Sequence, residues 1–119
     1  MKLPGPDHPI TITPAAGRVV VRYKGEVVAD THAALELREA SYPAVLYIPR
    51  GDAKMAHYAK TAHSTHCPYK GDASYFTLVA GDARAENAVW SYETPYPAMA
   101  EIKDHLAFYP QHVAIERSA

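Results

Sequence analysis

The stretch "STHCPYKGDASY", residues 64–75, brings a thiol, an imidazole, a primary amine and a glycine close together in sequence. Cys67 is the only cysteine of the chain. A free thiol is only about a few per cent thiolate at neutral pH, and a neighbouring cation such as Lys70 or protonated His66 favours the charged form. Pro68 restricts the backbone just after the thiol, while Gly71 permits positive φ or a close approach to a ligand. Cys67 and Lys70 can then project from one turn toward a common pocket, Cys67 as nucleophile or redox-active thiol and Lys70 as its electrostatic partner or an anion anchor. The same residues support a structural reading, with Cys67 a small buried hydrophobe and "PYKGD" a surface turn. Both readings treat Lys70 as exposed, so Lys70→Met is expected to leave stability nearly unchanged.

Other residue types complete a candidate pocket. Glu39, at the end of its segment, is a candidate acid or base for the Cys67–Lys70 pair. Tyr47 and Arg50 bracket "IP" and suit a planar or anionic ligand. Thr65 and Gly71 flank the thiol as further ligand contacts. Trp90 and Tyr92, two residues apart on one strand face, make a stacking surface with Tyr75, although core packing accounts for the same aromatics equally well. His63, His66 and Cys67 supply nitrogen and sulfur ligands, but adjacent residues seldom both face one ion, and no Cys-x-x-Cys pair accompanies them. No metal site is expected. The chain also has no Walker-type loop, Gly-x-Ser-x-Gly elbow or His-Glu-x-x-His motif, so its sequence names no cofactor.

These side chains must be positioned by short β segments. "ITIT" at 10–13 follows a proline-rich arm over residues 1–9. "RVVVRY" and "EVVAD" flank Lys24-Gly25 as a hairpin. "ALELRE" alternates apolar and charged residues, and "AVLYIP" is more continuously apolar. "ASYFTLV" and "NAVWSY" flank the turn-like "AGDARAE" as a second hairpin. Two helices are expected, one near 52–59 with Asp52 as N-cap and one near 97–108, where Pro97 opens a run with Met99, Ile102, Leu106 and Tyr109 at helical spacing. "HVAIER" reads as a last strand. The expectation is a mainly β, α+β fold, one small domain over residues 1–119 with helices packed on it.

The 119 residues, 48% hydrophobic, suit one buried core. A formal net charge of -1 gives no global field toward nucleic acid or an anionic membrane. No apolar run approaches the roughly 20 residues of a membrane-spanning helix, and "MKLPGPDHPITI" lacks the apolar stretch of a secretory signal. A cytoplasmic location is expected, in keeping with a lone thiol. On that reading "RGD" at 50–52 is a chance match to an adhesion tripeptide.

The ordered series "DHPITI", "VADT", "LRE", "YIPRGD", "THCPYKGDASY", "VWSY" and "AFYP" resembles the family catalogued as domain of unknown function 427, across nearly the whole chain. The resemblance implies a small, mainly β domain with a tent-like sheet arrangement, and it places Cys67, Lys70 and Gly71 in the family's central motif. The family also carries a nucleotidyltransferase-like label. Such chemistry needs paired carboxylates to hold magnesium near a triphosphate. Glu36, Glu39, Asp52 and Asp72 are available, but no spacing singles out a pair. Two functions remain open: a small enzyme acting on a compact polar or nucleotide-like ligand, or a module that binds a small polar or anionic ligand, or a partner, without chemistry.

Overall fold

The computed structural model describes residues 1–119 as ten strands in three antiparallel sheets joined by short 3-10 turns. In the first sheet, β4 (Leu35–Glu39) lies between β1 (Ile10–Pro14) and β5 (Val45–Tyr47), with Ile10 opposite Glu39 and Leu35 opposite both Pro14 and Tyr47. In the second, β2 (Arg18–Tyr23) pairs with β3 (Glu26–Thr31) and with the C-terminal β10 (Ala114–Ser118). Lys24 and Gly25 close the β2–β3 hairpin at φ of 50° and 81°, the left-handed pair that a two-residue turn on twisted strands requires.

The third sheet is a meander of β6 (Tyr58–Cys67), β7 (Gly71–Ala80), β8 (Ala83–Ser91) and β9 (Ala107–Phe108). Its first turn is Pro68–Lys70, so the strand register itself sets Cys67 opposite Gly71. Reciprocal backbone hydrogen bonds between Ile48 and Leu106, each 2.8 Å, join the end of the first sheet to the third.

Alternation along the strands builds two apolar clusters. The larger includes Val19, Val21 and Val28 of the second sheet with Phe76, Leu78, Val89 and Phe108 of the third. The smaller unites Leu37 and Tyr47 of the first sheet with Tyr75, Tyr92, Met99 and Ile102. This smaller cluster backs the candidate site.

The expected hairpins at Lys24-Gly25 and between β7 and β8 are present, although the second turn is tighter than "AGDARAE", with both flanks taken into strands. The two expected helices are not α-helical. The region 52–59 holds 3-10 turns at Arg50–Asp52 and Met55–His57 and then enters β6. Asp52 caps no helix there; its carboxylate accepts a hydrogen bond from the Thr31 hydroxyl at 2.7 Å. The region 97–108 is a kinked 3-10 segment, Pro97–Ile102, followed by Asp104 at φ of 62° and by β9. Short apolar periodicity is satisfied without a helix because Met99 and Ile102 enter the smaller cluster while Leu106 enters the larger.

Candidate functional site

The β6–β7 turn carries Cys67 to the end of one strand and Lys70 to the start of the next, and the end of β4 brings Glu39 against them. Lys70 Nζ donates to Glu39 Oε1 and lies 3.7 Å from Cys67 Sγ. Only 6% of Lys70 is exposed, which overturns its assignment as a solvated turn residue. The other Glu39 oxygen, Oε2, is 2.7 Å from His8 Nε2, and the His8 ring stacks on Tyr69 at 4.1 Å between centroids and 4° between planes. Burial alone would raise the Glu39 carboxyl, but hydrogen bonds from Lys70 and His8, reinforced by their charges, hold it below its ordinary value. Cys67, Lys70, Glu39 and His8 thus form one continuous polar chain.

This chain borders a cavity of about 650 Å³ whose walls come from the first and third sheets, from the segments after β9 and before β5, and from Ile115 of β10. Among the lining side chains only Glu39 and Lys70 carry charge; the rest are apolar or aromatic. Trp90 Nε1 donates to the Tyr47 hydroxyl at 3.3 Å, and the two rings meet edge-on. Tyr109 lies tilted on Trp90, 4.6 Å between centroids, and its hydroxyl is 3.3 Å from that of Tyr75. Burial pushes the Tyr47 and Tyr92 hydroxyls well above the usual phenol range, and burial together with the Tyr75 contact raises Tyr109 to about 12. These phenols are therefore neutral hydrogen-bonding groups at physiological pH. The arrangement can stack a planar molecule and offer a polar chain to one of its edges.

Residues 11–119 match the sequence model of the family described as Domain of unknown function (DUF427). The chain belongs to the DUF427 family. No curated protein matches it in sequence.

Within this DUF427 chain, seven residues singled out from sequence line the cavity together: Cys67, Lys70, Glu39, Tyr47, Tyr75, Trp90 and Tyr92. Three others lie off it. Arg50 turns away, its guanidinium held by Glu93 at 3.0 Å, Ser91 at 2.9 Å and the Asp104 carbonyl at 3.0 Å, over the Phe76 ring. Thr65 supports the wall from behind, its hydroxyl 3.0 Å from that of Tyr75. Gly71 makes the turn possible: at φ of 109° it opens β7 beside the Thr94–Tyr96 backbone.

His66 pairs with Asp72 at 2.7 Å, His63 packs on Tyr75, and no three His, Cys, Asp or Glu side chains are grouped to hold a metal ion. Sequence reasoning missed His8 and Tyr109 in this DUF427 site. The His8 signal was present in "DHPITI", a histidine-proline pair just before the first strand. Its chemistry is invisible until the arm docks.

Proposed function

We propose that the cavity binds one compact, planar and largely apolar molecule whose polar edge meets the Lys70–Glu39 pair. The observation that carries this reading is the composition of the walls. A cavity of about 650 Å³ is large enough for a small organic ligand, and its only two lining charges neutralise each other. A triphosphate needs unspent cations and carboxylates free to share magnesium. Lys70 is already bonded to Glu39, and Glu39 is the one carboxylate lining the cavity, so a free heteroaromatic base or nucleoside fits the site better than a nucleotide.

One observation favours a second, enzymatic reading of the same cavity. Lys70 Nζ stands 3.7 Å from Cys67 Sγ and is itself held by Glu39, an arrangement of nucleophile, cation and orienting group. In this reading Cys67 acts on the polar edge of the bound molecule. A cytoplasmic, reducing setting would keep the thiol available.

Trp90 is the only tryptophan of the chain and lines the cavity, so its fluorescence reports occupancy directly. Titration with adenine, adenosine and magnesium ATP is expected to quench Trp90 with the two uncharged compounds and not with the triphosphate. Tighter binding of magnesium ATP, or no response to any uncharged planar heteroaromatic in a wider panel, would reject the proposal. Incubation with electrophilic analogues of the compounds that bind separates the two readings. A covalent mass increase on Cys67 supports chemistry, and reversible quenching alone supports a binding module.

A further inference from the structure

We infer that His8 is a positioning residue of this site, acting through Glu39 to set how strongly the Lys70 charge is felt at Cys67, so that the thiol responds to pH. The N-terminal arm touches both halves of the polar chain. Lys2 N–H donates to the Pro68 carbonyl at 2.8 Å, and the Pro9 carbonyl accepts from Ala40 N–H at 2.8 Å, tying the arm to the turn that carries Cys67 and Lys70 and to the residue that follows Glu39. Between these ties, the His8 ring is stacked on Tyr69 and bonded to Glu39 Oε2. It remains 26% exposed at the side chain, enough to exchange a proton with solvent.

The division of Glu39 between two partners gives His8 its leverage. With His8 protonated, one carboxylate faces two cations, and the field of Lys70 at the sulfur is less completely cancelled. With His8 neutral, Lys70 and Glu39 neutralise each other, and the sulfur lies beside a pair of no net charge. An imidazole ordinarily changes charge between about pH 5 and 8. The titratable groups in contact with His8 are Glu39 from β4 and Tyr69 from the β6–β7 turn, with Lys70 and Cys67 behind Glu39; on its own arm Asp7 adjoins it in sequence and Lys2 lies further back, and β1 contributes no charged side chain. The His66–Asp72 pair also lies near Cys67 in sequence, so the effect is read as a ratio between variants at each pH, in which that pair cancels.

This inference rests on the thiol reading of the cavity, but its measurement needs no ligand. Iodoacetamide, an uncharged reagent, is reacted with the native protein, and Cys67 modification is followed by intact mass from pH 5.5 to 8.5. His8→Gln keeps a hydrogen-bond donor and removes the charge, and His8→Lys keeps a charge at all these pH values. Alkylation of the Gln variant, which follows the thiolate population, is expected to be slower than that of the parent by about threefold near pH 5.5, with the ratio returning to about one by pH 8.5. The Lys variant is expected to match the parent at low pH and to exceed it at high pH. A parent-to-Gln ratio that is flat across pH, or a Lys variant that follows the Gln variant, would overturn the role assigned to His8. Because Trp90 quenching is measured separately, loss of this pH signature leaves the ligand site standing, and the reverse also holds.

Discussion

Lys70 and Glu39 are 31 residues apart in sequence yet form an ion pair in which 7% of the lysine side chain and 18% of the carboxylate side chain remain exposed. Removing one member of a buried pair leaves the other without its partner. Lys70→Met is therefore expected to destabilise the fold by about 2–4 kcal/mol, and Glu39→Leu combined with Lys70→Met to regain a substantial part of that loss. Urea unfolding of the two single variants and the double variant checks this. A Lys70→Met protein as stable as the parent would mean that the pair contributes nothing to folding.

Acid sensitivity should trace to Glu93. Burial alone would raise this carboxyl, but hydrogen bonds from Lys60, Ser74 and Arg50, with the Lys60 charge, bring it down to about 2 from an ordinary 4.5. A depressed carboxyl stabilises the fold above its unfolded value and loses that contribution as pH falls through the folded one. Stability from Glu93 is thus complete above about pH 4.5 and lost toward pH 2. Glu93→Gln should lower the thermal midpoint at pH 7 and flatten the loss between these limits. A variant whose midpoint falls with acid as steeply as the parent's would remove Glu93 from this account.

Leu106 has no exposed surface and packs in the larger cluster, directly beside the junction of two sheets. Leu106→Ala is expected to cost about 2–5 kcal/mol in chemical denaturation, whatever the local backbone is called.

The strands that alternate on one buried face were legible. Leu35 and Leu37 of β4 alternate with Glu36 and Arg38, the period of two that a half-covered sheet imposes, while β2 was legible as the β-branched run Val19–Val21, all three buried. β6 was not legible, because it runs along the sheet edge and none of its residues is buried, so no apolar alternation marks "YAKTAHSTHC" as a strand. The site divides in the same way. Cys67 and Lys70 were visible together because one turn holds them, and Glu39, Tyr47 and Trp90 were visible as residue types. The burial of Lys70 was hidden, since "PYKGD" is locally a turn and becomes an interior only when β4 arrives with Glu39. Arg50 was misplaced for the converse reason: its partners Ser91, Glu93 and Asp104 come from distant segments that draw it off the cavity.

Tyr47→Phe removes the acceptor of the Trp90 indole N–H and little else. A cost of about 1 kcal/mol is expected, together with a shift in tryptophan emission, since that side chain is the sole emitter of its kind. Unchanged emission would mean that the indole finds an equivalent acceptor in solvent.

The paired backbone bonds between Ile48 and Leu106 fasten together the two sheets that wall the cavity. Prising those sheets apart would break both bonds and uncover two wholly buried side chains, so the cavity is shaped before any guest arrives. A molecule of the kind proposed above would find these walls already joined and would have less of them to order, which keeps the entropic penalty of association small. Amide exchange at Ile48 and Leu106 should be slow in the free protein and scarcely slower when the cavity is filled.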